Sequence, residues 1–158
     1  METRNKSALG AVIGGALLAG GLGVGPAIAA PPEPYTDTRY AECPGDLDVR
    51  IDAVGKGKFF EVPGLDQVIA ISPNTTVTIT DTGDESNSVT YKANGAFHIE
   101  FLENETVVRA TGVNVLTTED PGVFLTRGNV TFVNDATGEK VRFEGPGKVT
   151  DICAILAN

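Results

Sequence analysis

From residue 43 onward, hydrophobic and polar residues alternate along most of the chain. Leu47, Val49 and Ile51 are spaced by Asp48, Arg50 and Asp52. Val77 and Ile79 sit between Thr76, Thr78 and Thr80. Phe97, Ile99 and Phe101 enclose His98 and Glu100. Val130 and Phe132 alternate with Asn129 and Thr131, and Val141 and Phe143 with Lys140, Arg142 and Glu144. A period of two puts apolar side chains on one face of an extended strand and polar ones on the other. The many β-branched residues suit strands. No stretch of the same region keeps a 3.6-residue period beyond a single turn.

Turn residues interrupt this pattern at short intervals: Gly55-Lys56-Gly57, Pro63-Gly64, Pro73-Asn74, Thr82-Gly83-Asp84, Asn94-Gly95, Glu103-Asn104-Glu105, Pro121-Gly122, Thr137-Gly138 and Gly145-Pro146-Gly147. Asn and Gly both accept positive φ, so Asn94-Gly95 predicts a two-residue type I′ hairpin between Tyr91 and Phe97. Ten to twelve strands joined by short hairpins make an antiparallel meander. A long meander must deal with its edges, either by curling into a small barrel or by folding into a barrel-like sandwich. The expectation is therefore an all-β, single domain over residues 43–158.

The first thirty residues follow other rules. Arg4 and Lys6 precede an apolar, Gly- and Ala-rich run from Ala8 to Val24, then Pro26 and the small residues Ala27, Ala29 and Ala30. This is the three-part pattern of a signal peptide, with cleavage after Ala29 or Ala30. A membrane anchor fits less well, because seven glycines fall between Gly10 and Gly25. Residues 31–42 hold Pro31, Pro32 and Pro34 and lack a hydrophobic period, which predicts a flexible leader.

Composition narrows the partners. Residues 1–30 contain only Glu2, Arg4 and Lys6 as charges, so the rest of the 158-residue chain carries ten Lys and Arg against twenty Asp and Glu. Nucleic acid is excluded as a natural partner, because phosphate binding needs clustered cations. Anionic membranes are disfavoured for the same reason, and no membrane association is expected once the signal is removed. The two cysteines, Cys43 and Cys153, lie near the two ends of the β region. In an oxidising compartment an even pair reads as a disulfide, Cys43–Cys153. The sequence offers neither Cys-x-x-Cys nor a partner histidine for a thiolate metal site.

Candidate chemistry is sparse. His98 is the sole histidine and shares a strand face with Glu100, a pair that could exchange protons. No Gly-x-Ser-x-Gly elbow surrounds Ser72, Ser86 or Ser88. Asp81, Asp84 and Glu85 crowd a turn around Gly83, the kind of carboxylate loop that calcium favours, but without EF-hand spacing. Asp46, Asp48 and Asp52 read as strand-face charges. Three Asn-x-Thr triplets start at Asn74, Asn104 and Asn129, a pattern short enough to arise by chance, and no glycosylation is expected from them. With no Trp and three Tyr, an aromatic stacking platform is poorly supplied, and the seven Phe read as core.

The runs Val108-Arg109-Ala110-Thr111-Gly112-Val113-Asn114-Val115-Leu116, Pro121 to Gly128 and Asp151-Ile152-Cys153-Ala154-Ile155-Leu156 resemble a group of small secreted actinobacterial proteins. The block from Thr75 to Ala96 is similar too. The resemblance implies export and a cysteine near each end of the domain; it carries no activity and no functional residue.

These features point to a secreted, disulfide-stapled β domain without cofactor. Its first functional expectation is a non-enzymatic binding module, taking a small ligand or an extracellular protein at its loops or inside a barrel. The alternative is a structural or cell-envelope interaction protein without a small-molecule ligand, and an enzyme ranks third. A lined cavity favours the first; a filled core with polar faces favours the second.

Overall fold

The computed structural model describes residues 30–118, 122–135 and 141–158. Residues 1–29 of the proposed signal, Pro121 and Thr137-Gly138 lie outside the described residues. Among those described are twelve strands and one short helix. The strands are β1 (Glu33–Cys43), β2 (Leu47–Glu61), β3 (Gln67–Ile71), β4 (Thr75–Asp81), β5 (Ser88–Ala93), β6 (Ala96–Phe101), β7 (Glu105–Thr111), β8 (Val113–Thr117), β9 (Val123–Arg127), β10 (Val130–Asp135), β11 (Val141–Glu144) and β12 (Lys148–Asp151). The helix is α1 (Ile152–Leu156).

The registers reduce these pieces to seven long antiparallel runs in simple meander order. β3 and β4 both pair with the same side of β2, at Lys58–Glu61 and Val49–Val54 respectively. β6 pairs with β3 and β5 with β4, so β5 and β6 form one run. β7–β8 faces β9–β10 in a single unbroken register. The next run, β11–β12, pairs back on β10 and β9. Five of the seven runs break once, near mid-length.

The breaks line up across the sheet as a crease. They fall at Ser72–Asn74, Asn94–Gly95, Gly112, Gly128–Asn129 and Gly145–Gly147. Asn74, Gly112, Gly128 and Gly145 have positive φ there. Strands that switch sheets need such bends. Beyond the crease, β2, β3, β6, β7, β10 and β11 share one sheet; before it, β1, β2, β4 and β5 form a curved four-stranded surface. β8, β9 and β12 leave at the crease as a separate three-stranded ribbon.

The ribbon is buried on both faces, which shows in the consecutive buried residues Asn114, Val115 and Leu116. Val115, Val123 and Leu125 pack with Val49, Ile51, Val77, Ile79 and Ile152. Leu116 packs with Val68, Phe97, Ile99, Val108 and Phe132. Phe124 tilts onto Phe143 at 5.1 Å between ring centroids. The result is a half-closed, barrel-like sandwich. Among the described residues β1 pairs only with β2 and β12 only with β9, so these two strands do not zip a barrel shut.

Three expectations need correction. Residues 33–42 are not a flexible leader: they belong to β1, which pairs with β2 along its length and buries Tyr35. The prolines hid this strand, yet Pro34 is tolerated on an edge where no ladder donor is needed. Asn94-Gly95 is not a hairpin. Neither residue has positive φ, and β5 and β6 continue in the same direction. Gly95 is required instead because a Cβ there would lie 2.1 Å from the Asn114 Oδ1 of the ribbon. Finally, Cys153 lies in α1 rather than in the last strand.

Candidate functional site

The two cysteines meet where the chain ends meet. Cys43 closes β1 on its core-facing side, and its Cα lies 5.5 Å from that of Cys153, to which it is disulfide-bonded. Asp151 caps α1 by accepting a 3.1 Å hydrogen bond from the Ala154 N–H. That turn presents Cys153 inward, where its Sγ accepts the Val123 N–H at 3.3 Å. The Asn87 side-chain amide donates to the Leu156 carbonyl at 2.7 Å and ties the helix to the β4–β5 turn. Both sulfurs are buried, as suits a structural staple.

His98 and Glu100 do share the outer face of β6, as alternation required. His98 is exposed and stands across from Ile69 and Arg109. The carboxylate of Glu100 accepts from Arg109 Nη1 at 3.2 Å.

Asp81, Asp84 and Glu85 each make a local contact. Asp81 accepts the Gly83 N–H at 2.7 Å. Asp84 accepts the Ser86 hydroxyl at 2.6 Å and the Ser86 N–H at 3.0 Å, and these bonds, the hydroxyl first, hold its carboxyl below the usual value. Glu85 reaches Arg50 Nη1 at 3.5 Å. Among the described residues no three His, Cys, Asp or Glu side chains gather in a way that would hold a metal ion. Asp46 takes a left-handed turn conformation, and Asp52 joins Arg50 and Thr38 on the outer face of β2.

Two concavities stand out among the described residues. The inner one, about 30 Å³, lies between β1, β2, β4 and the ribbon. Tyr35, Ser72, Thr75 and Asn114 give it polar walls, and Ala93 and Phe97 apolar ones. The Tyr35 hydroxyl and Thr75 Oγ1 are 3.1 Å apart. Asp37 and Arg39, an ion pair on the core-facing side of β1, stand at its border with side chains 25% exposed. A space this size suits a water molecule or two. The outer concavity is an open groove of about 420 Å³ over the crease. Asn74, Asn94 and Thr111 rim it, Ile71 and Ala96 form part of its floor, and none of its lining residues titrates.

Sequence reasoning missed Asp37, Arg39 and Asn114. The first two fell in the supposed leader, and Asn114 stands in an apolar run where a polar residue carries no signal of its own. No family model, curated protein or solved structure matches the chain.

Proposed function

We propose that this is an exported, non-enzymatic interaction domain that works through its outer faces and binds no small molecule in its interior. One observation supports it above others: the concavity between β1, β2, β4 and the ribbon is only about 30 Å³, whereas ligand pockets run to roughly 300–1,000 Å³. The ribbon packs against both core clusters, leaving the outer sheet faces, which expose Tyr40, Val54 and Phe59 among polar residues, and the crease groove as accessible surfaces. This favours the structural or cell-envelope alternative over a cavity binder. Export is supported by the basic, apolar and small-residue order of residues 1–30 and by a buried disulfide that needs an oxidising compartment.

Native mass spectrometry of protein collected from culture supernatant tests both parts. The expected species has its N-terminus at Ala30 or Pro31 and no bound small molecule. A stoichiometric co-purifying ligand would overturn the interaction-domain reading, and recovery of the intact chain from cytosol alone would overturn export.

A further inference from the structure

The free strand edges of this molecule are not equivalent. β1 has eleven residues and one unpaired edge. It carries Pro34, which has no N–H, and turns Asp37 and Arg39 toward the core. Inward charge and proline are devices that stop an edge from accepting another strand. The opposite edge is broken into β11 and β12, four residues each, by Gly145-Pro146-Gly147. β5 has none of these features. It is Ser88-Val89-Thr90-Tyr91-Lys92-Ala93, with strand-favouring Val89, Thr90 and Tyr91 at its centre, without proline or inward charge, and with one outward charge, Lys92, near its end.

The edge of β5 carries no further hydrogen-bonded strand, because β8 turns out of the ladder there while staying near it at the crease. In the β6–β7 register, where Ala96 faces Thr111, a straight continuation would set Val113 against Asn94 and Val115 against Lys92. Val115 instead pairs with Leu125 in the ribbon. Among the described residues β5 therefore pairs only with β4. The Asp81 N–H bonds the Asn87 carbonyl, which sets the alternation of the antiparallel ladder. By that alternation the N–H and C=O groups of Ser88, Thr90 and Lys92 point outward at this edge, and their side chains are exposed.

We propose that β5 is a self-association edge, on which a second copy of this chain adds its own β5 antiparallel about a two-fold axis at Thr90. The partner is chosen by charge. Lys92 is the one charge on the strand and stands near one end; the exposed carboxylates Asp84 and Glu85 lie just beyond the other. An antiparallel two-fold brings each Lys92 opposite Ser88 of the other copy, beside that acidic turn, and keeps the two lysines apart. Thr90 would meet Thr90 of the second copy, extending the existing Thr78–Thr90 hydroxyl contact of 3.0 Å across the axis. The two four-stranded surfaces would merge into one eight-stranded sheet. Six residues of pairing make a small interface, so association is weak, with Kd on the order of 0.1–1 mM.

Light scattering of the disulfide-bonded protein tests this, with wild type and Thr90→Pro compared. The substitution removes an N–H that points outward at this edge and leaves the β4 ladder intact. The wild-type average mass should climb toward twofold between about 10 µM and about 1 mM, while the variant stays monomeric. Thr90→Cys is the second probe. Paired residues at the axis have Cα atoms about 5.5 Å apart, within disulfide reach. Mild oxidation should give a covalent dimer, and Thr36→Cys on β1 should not. A wild type that stays monomeric throughout the range overturns the proposal. So does a folded Thr90→Pro that associates like wild type, or a Thr90→Cys that crosslinks no better than Thr36→Cys.

Discussion

Gly112 and Gly128 lie directly opposite one another, joined by a 2.9 Å hydrogen bond from the Gly128 N–H to the Gly112 carbonyl. Both have positive φ, 78° and 81°. Two adjacent runs therefore turn at the same level, and the ribbon leaves the sheet as a unit. A Cβ on Gly112 would also stand 2.8 Å from the Asn94 carbonyl oxygen, whereas one on Gly45, at φ 82°, meets nothing within 4 Å.

Gly45→Ala isolates the backbone strain, and Gly112→Ala adds the clash. The expected losses in urea unfolding are about 1 kcal/mol for the first and about 3 kcal/mol for the second. Equal losses would mean that the crease tolerates a side chain and is not set by close approach.

β1 predicts that residues 33–43 are integral to the fold. The Tyr35 ring packs over Gly57, where a Cβ would lie 3.0 Å from it, and its hydroxyl contacts Thr75. Tyr35→Ala should cost about 3–5 kcal/mol, as for other buried aromatic truncations. Limited proteolysis should leave Tyr35 to Cys43 uncut in the native protein. Rapid cleavage there would restore the flexible leader.

Strand existence was readable wherever one face is buried and the other wet. Leu47-Val49-Ile51 and Phe97-Ile99-Phe101 show this plainly, because their alternation is a property of the local chain. What could not be read depends on neighbours. Gly95 is explained by Asn114, nineteen positions away, and Gly112 by Gly128 and Asn94. β1 was hidden because two of its core-facing positions are Asp37 and Arg39, which break the apolar pattern while satisfying each other. At the candidate site the His98–Glu100 spacing was legible, but Arg109, which claims the carboxylate, comes from the next strand. The cysteine pair was legible from count and compartment alone.

Asp52 makes acid stability partly predictable. Partial burial pushes its carboxyl upward, but hydrogen bonds from Arg50 and Thr38 and the Arg50 charge outweigh this and leave it below the ordinary value. A lowered folded value means stability that is present above the ordinary aspartate range and is lost as pH falls through the folded value. The group is about a third exposed, so the contribution is small, about 0.5 kcal/mol. The gap between wild type and Asp52→Asn should be constant above about pH 5 and vanish in stronger acid. A gap that persists unchanged at the acid end would remove the carboxylate as its cause.

The disulfide does what the open sheet cannot. With β1 and β12 unpaired to each other, the hydrogen-bond ladder leaves the two ends of the meander free to separate. The Cys43–Cys153 bond, spanning 110 positions, holds them across the larger core. Closing so long a loop stabilises by about 4.7 kcal/mol in the chain-entropy account, and removing a native disulfide from a small secreted domain costs about 2–5 kcal/mol. Reduction should therefore lower the urea midpoint by a large share of a total stability of about 5–15 kcal/mol. Loss should begin locally: α1 is anchored otherwise by the Asn87–Leu156 hydrogen bond and the burial of Ile152 and Leu156. Hydrogen exchange of the Cys43→Ala/Cys153→Ala variant should show α1 and the end of β1 opening ahead of β6 and β7. Asn87→Ala alone should cost only about 1 kcal/mol. An unchanged midpoint on reduction, or two free thiols in the denatured unreduced protein, would dismiss the staple and the joining of the chain ends with it.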